Sequence, residues 1–133
     1  ELLFGYDEIT NNTITVILVE GIFDKIAVDK ALQLDLSDEI KCVCTFGKKI
    51  SEVQIKKLLV KGVKKVILLY DFDAVNDTKK YGLQLQNYFD TNIAFTSQKK
   101  DIDECTKEEA QQVFLNLKQP EDFVENVICK IRK

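Results

Sequence analysis

Thr13-Ile14-Thr15-Val16-Ile17-Leu18-Val19-Glu20-Gly21 is the stretch whose reading decides the fold. Its β-branched, nearly unbroken apolar run has the character of a buried strand, and it ends on an acid followed by a glycine. Beyond Gly21 the apolar residues Ile22, Ile26, Ala27, Ala31 and Leu34 switch to helical spacing. The segment therefore reads as strand, tight turn and helix.

The same grammar recurs downstream. Lys41-Cys42-Val43-Cys44-Thr45-Phe46 leads to Gly47, and Ser51 then precedes Val53, Ile55, Leu58, Leu59 and Val60 at helical positions. Lys65-Val66-Ile67-Leu68-Leu69-Tyr70 is continuously apolar after its first residue, as a central parallel strand should be, and runs into Asp71-Phe72-Asp73. A third helix is expected from Asp77 to Phe89, with Tyr81, Leu85, Tyr88 and Phe89 as its stripe, and a fourth strand over Asn92-Ile93-Ala94-Phe95-Thr96. A loop from Gln98 to Asp103 precedes helices near Thr106 to Leu117 and Pro120 to Cys129, while Asp7 to Thr13 reads as a polar surface turn. Strands alternating with helices imply parallel strands, right-handed crossovers and a doubly wound α/β sheet of about four strands.

The 133 residues suit one domain, and 45% hydrophobic with 31% charged residues is the balance of an ordinary globular chain. No apolar run reaches the ~18 residues that cross a bilayer. The chain begins with Glu1 and contains no Met, so it is expected to be a piece of a longer polypeptide. Cys42 and Cys44 alternate onto one strand face and Cys105 and Cys129 fall in helical patterns, which suggests free thiols in a reducing, cytoplasmic setting. The chain has no His and no CxxC pair, the usual donors for zinc. A net charge of -3 argues against a broad basic surface for nucleic acid, so any phosphate must be met by local lysines or by a metal.

In a parallel sheet of this kind ligands collect at the carboxyl ends of the strands. Glu20 ends the first strand, Asp71 and Asp73 the third, and Asp101, Asp103 and Glu104 follow the fourth. Carboxylates massed at one edge repel, and a hard divalent cation, Mg²⁺ or Mn²⁺, neutralises them. A lone Asp-x-Asp reads as a solvated turn or helix cap; after such a strand, and with Glu20-Gly21 after another, it reads as a metal site. Gly21 permits a sharp turn and leaves room for phosphate near a helix N-terminus. Asp24, in the first turn, suits the helix dipole and the metal cluster equally. Gly47, Lys48 and Lys49 form a comparable turn, whose lysines either meet phosphate or are merely solvated.

Val19-Glu20-Gly21-Ile22-Phe23-Asp24 resembles the Glu-Gly-x-x-Asp motif of Toprim domains, and Asp71-Phe72-Asp73 resembles their Asp-x-Asp motif. Within that superfamily the chain is most similar to bacterial and phage DNA primases, through Leu3-Phe4-Gly5-Tyr6, Val43-Cys44-Thr45-Phe46-Gly47, Val66 to Asp73 and Lys100-Asp101-Ile102-Asp103-Glu104. The resemblance implies a Rossmann-like Toprim fold. It implies Glu20, Asp71 and Asp73 as catalytic residues, Glu20, Asp24, Asp71, Asp73, Asp101 and Asp103 around the metal, and Gly21, Gly47 and Lys48 near nucleotide phosphate.

The activity so implied is synthesis of RNA primers on single-stranded DNA by two-metal nucleotidyl transfer. Template, nucleoside triphosphates and a replicative helicase would be partners of a full-length protein, and this piece alone would be inactive. Two departures stand out: Phe72 replaces the Gly that primases place between the aspartates, and Ala74-Val75-Asn76 replaces an Ala-Gly. The alternatives are a Toprim nuclease of the overcoming-lysogenization or ribonuclease type, which would activate water with the same acids, and a non-catalytic assembly module. A receiver-like domain would want its acid pair after the first strand, which Glu20-Gly21 does not supply.

Overall fold

The computed structural model describes residues 2–47, 49–70, 74–96 and 100–123. Its strands are β1 (Thr15–Val19), β2 (Ile40–Cys44), β3 (Lys65–Leu69) and β4 (Asp90–Ile93). They form one sheet in the order β2-β1-β3-β4, and each neighbouring pair is parallel. The helices are α1 (Ile22–Leu32), α2 (Glu52–Val60), α3 (Val75–Leu85) and α4 (Lys107–Val113). This is the expected α/β, Rossmann-like arrangement. The strand order reverses between β1 and β3, which makes the gap between their carboxyl ends the topological switch point.

The alternation of β1 explains the two layers. Val16 and Leu18 join Val43, Val66 and Leu68 in a core that includes Ile55 and Leu58 of α2 and Leu85 of α3. Ile17 and Val19 face the other way, with Cys42 and Cys44, toward Val28 and Ala31 of α1 and Ala110 and Val113 of α4. Each of the buried Val, Leu and Ile side chains stabilises the fold by about 1.5–3 kcal/mol on leaving water. Cys42 and Cys44 are buried free thiols on one face, as expected, whereas Cys105 lies in the link between the 3-10 turn Ile102–Glu104 and α4 rather than in a helix.

Two bridges close the flanks. Phe4 pairs antiparallel with Cys44, through N–H to O bonds of 3.0 and 2.9 Å, so residues 2–4 extend the sheet beyond β2. Lys118 does the same for Ile93 beyond β4. The segment read as a polar turn is more tightly held than its composition suggests. Ile9 and Thr13 are buried, and the Thr13 hydroxyl donates to the Asp38 carbonyl at 2.7 Å.

Helix starts follow their caps more faithfully than helix faces follow apolar spacing. Ser51 Oγ accepts the Gln54 N–H at 3.1 Å and Thr106 Oγ1 the Glu109 N–H at 3.2 Å. The buried face of α1 is Lys25, Val28 and Ala31, with Phe23 left 71% exposed and Ile26 outside. In α2, Gln54, Ile55 and Leu58 turn inward while Val60 is 82% exposed. The start of the last expected helix is present at 120–123, and Cys129 lies outside the described residues. Among the described residues no helix is long and apolar enough to cross a membrane.

Candidate metal centre at the carboxyl edge of the sheet

Register decides what meets at this edge. Val19 pairs with Cys44 on one side and Leu69 on the other, so Glu20 leaves β1 between Thr45, leaving β2, and Tyr70, leaving β3. The Thr45 N–H donates to the Val19 carbonyl at 2.9 Å and the Ala94 N–H to that of Leu68 at 3.0 Å, which carries the parallel pattern to the strand tips. Glu20 is half-buried there, and its carbonyl accepts the Cys44 thiol at 3.2 Å.

Gly21 is the N-cap of α1 in an extended conformation (φ −117°), and a Cβ on it would meet Asp24 Oδ2 at 3.3 Å. That same oxygen accepts the Gly21 N–H at 3.3 Å. Asp24 thus caps the start of α1 and engages the N–H of Gly21.

The acids after β4 come together on the 3-10 turn Ile102–Glu104. One carboxylate oxygen each from Asp101, Asp103 and Glu104 lie within 4.8 Å of one another, an all-oxygen set that suits a hard divalent cation. Glu104, one of the converging acids, joins the ligands that the family resemblance implies. The turn packs on α1, across a groove of about 440 Å³ between Phe23, Ile26 and Ala27 and the Ile102 to Thr106 segment. The last acids thus stand beside the helix that starts at Gly21. Lys100, the nearest basic residue in sequence, is drawn away to Glu109 at 2.9 Å. That ion pair raises the pKa of Lys100, while a backbone hydrogen bond from Thr106, together with Lys100, lowers that of Glu109.

Asp71, Asp73 and Lys48 lie outside the described residues, as does Phe72. What is described is the platform on which the aspartates follow: β3 ends level with β1, Tyr70 is buried, and Ala74 precedes α3. Around Gly47 the left-handed residue is Phe46 (φ 61°), and a Cβ on Gly47 would meet nothing within 4 Å. The Gly47 carbonyl accepts the Thr45 hydroxyl at 2.6 Å. Lys49 is exposed beside Thr45, Phe46 and Ser51 in a cleft of about 310 Å³.

Sequence reasoning passed over the hydroxyls of this edge. Tyr70 is 5% exposed, and its hydroxyl makes no hydrogen bond of good geometry to a described group, although the Thr45 hydroxyl stands close enough to act on it. Burial raises its pKa well above the usual tyrosine value; the nearby Thr45 side chain works the other way and the Glu20 charge adds to the rise. The Thr96 hydroxyl is buried and likewise without a partner among the described residues. An aromatic immediately before Asp-x-Asp at a strand end was the available signal.

The Toprim domain family model matches residues 15–97, more than half of the chain. The matched span runs from the first residue of β1 past the end of β4. Neither any curated protein nor any solved structure matches the chain significantly.

Proposed function

This chain belongs to the Toprim domain family, which occurs in primases, nucleases and topoisomerases, and from that premise we propose that it is the metal-binding catalytic domain of a DNA primase. Toprim domains bind divalent metal through acidic residues, and the Asp101, Asp103 and Glu104 set has the donor chemistry for it. The observation that carries the reading is the register at the switch point, where Val19 opposite Leu69 sends Glu20 and the chain leading to Asp71 and Asp73 out of adjacent strands. The primase assignment is supported by Leu3-Phe4-Gly5-Tyr6. This segment resembles the lead-in of primases, and its Leu3 and Phe4 are built into the domain, Leu3 in the core and Phe4 on β2.

In this reading Glu20, Asp24, Asp71, Asp73, Asp101 and Asp103 would hold Mg²⁺ or Mn²⁺, Asp24 also bracing the helix behind Glu20. Such ions, when held there, would lower the pKa of an attacking hydroxyl and neutralise charge on the phosphoryl group. Glu20 takes the proton of that hydroxyl as general base. Lys48 and Gly47 border the path of the triphosphate, and single-stranded DNA, with a replicative helicase, approaches through the rest of the polypeptide.

The test is Mg²⁺ and Mn²⁺ binding, followed by NMR shifts on the wild type and on Asp71→Asn with Asp73→Asn. Primer synthesis from ribonucleotides on single-stranded DNA by the full-length protein comes next. Site-specific metal binding lost in the double variant, with ribonucleotide joining lost in Glu20→Gln, is the expected result. Metal-dependent strand cleavage without nucleotide incorporation would assign a Toprim nuclease instead, and metal binding with neither reaction an assembly module.

A further inference from the structure

Two hydroxyls at the carboxyl edge, those of Tyr70 and Thr96, are buried without a hydrogen-bond partner among the described residues. Buried tyrosine hydroxyls nearly always find one, and each exception calls for a reason. Elsewhere the buried polar side chains are satisfied in the ordinary way: Lys41 donates to the Leu34 carbonyl, Gln54 to that of Leu2 and Thr78 to that of Ala74. Asp29 leaves one oxygen unpaired, but its other oxygen is held by Lys25.

The position of Tyr70 supplies the reason. Its ring belongs to the core beneath α2 and α3, while its hydroxyl feels Thr45 and Glu20, then Tyr81 of α3 and Cys44. Register sets Glu20, Thr45 and Tyr70 level where their three strands end, so the side chain stands beside the switch point. Thr45, the neighbouring hydroxyl, turns its own proton to the Gly47 carbonyl at 2.6 Å. Thr96 lies beyond the end of β4, the strand next to β3, at the same edge. A tyrosine carries its proton at neutral pH, so the orphan is a donor in want of an acceptor.

We propose that Tyr70 is a further binding residue of this site, its hydroxyl donating to a non-bridging phosphate oxygen of a phosphate ester held at the strand ends. The proposal rests on the metal-dependent phosphoryl-transfer reading of the edge. A neutral donor aimed among carboxylates suits a ligand whose negative oxygens arrive with their own cation. A phosphate ester with its metal is such a ligand.

The experiment compares the full chain with Tyr70→Phe for apo melting temperature, Mn²⁺ affinity, and Mn²⁺-dependent binding of a nucleoside triphosphate and of a single-stranded DNA oligomer. Tyr70→Phe is expected to leave melting temperature and Mn²⁺ affinity unchanged while weakening one or both phosphate esters about tenfold. Loss on the triphosphate alone places Tyr70 at the nucleotide, and loss on the oligomer alone places it at the strand. If the wild type binds metal and ester and Tyr70→Phe binds them equally, the proposal falls while the site reading stands. If Tyr70→Phe lowers the apo melting temperature by several degrees, the hydroxyl serves the fold and the proposal also falls. A wild type that binds neither probe with Mn²⁺ overturns both.

Discussion

The carboxylate of Asp24 reaches back one turn to accept the backbone N–H of Gly21 at 3.3 Å, tying the first turn of α1 to the residue that follows Glu20. A carboxylate so placed satisfies an orphan donor and complements the helix dipole. Asp24→Ala is expected to cost about 1 kcal/mol in urea unfolding, and Asp24→Asn, which keeps an acceptor, about half as much. If Asp24 is also a metal ligand, the Asn variant will weaken Mn²⁺ binding by more than its stability loss accounts for.

Lys25 is only 2% exposed, held by Asp29 at 2.6 Å and Glu8 at 3.2 Å. Burial works against its charge, but the hydrogen bonds and charges of Asp29 and Glu8 outweigh it, so its folded pKa lies above 10.5. A folded pKa raised above the unfolded one means that the native state keeps its proton longer. The resulting stability is fully present below pH 10.5 and is lost as pH rises through the folded value. Lys25→Met should therefore flatten the alkaline side of the stability profile, read as the difference from wild type in urea midpoints between pH 9 and 12. Near neutral pH it should cost about 2 kcal/mol, because Asp29 is left facing an apolar chain.

Gly5 has φ 96°, and a Cβ there would lie 2.6 Å from Lys25 Cε and 3.0 Å from the Cys42 carbonyl. Gly5→Ala meets both a left-handed backbone penalty and a clash with backbone that cannot retreat. A loss of about 2–3 kcal/mol is expected by chemical denaturation. An unchanged midpoint would show that the turn before the 3-10 segment Tyr6–Glu8 re-forms elsewhere.

Burial pushes the Cys42 thiol well above its ordinary pKa and raises Cys44 and Cys105 by the same cause. Only Cys105 of these is half-exposed. In a Cys129→Ser background, a disulfide reagent is expected to modify Cys105 slowly in the native protein, with Cys42 and Cys44 reacting only on unfolding. Rapid native modification of three thiols would contradict the packing of β2 against α1.

The alternation of strands and helices was determined by the sequence alone, because it rests on local signals. These were β-branched runs such as 13–19 and 65–70, glycine or acid at their ends, and Ser51 and Thr106 as caps. So was the presence of acids at strand ends, since Glu20 directly follows β1 and Asp71 and Asp73 directly follow the apolar run 65–70 in the sequence. Apolar spacing misjudged which side of α1 and α2 faces in, placing Ile26, Val53 and Val60 in the core where Lys25 and Gln54 lie. Lys25 is buried because Asp29 and Glu8 surround it, and no window along the chain displays that.

Strand order belongs wholly to the tertiary structure. Parallel pairing joins segments dozens of residues apart, and only the placement of β3 beside β1 rather than β2 makes Glu20 and Tyr70 neighbours at the switch point. The same holds for the gathering of Asp101, Asp103 and Glu104 against α1, which packing of the Ile102–Glu104 turn accomplishes. Local chemistry named the acids; long-range pairing chose their neighbours, because register is set between strands and not within them.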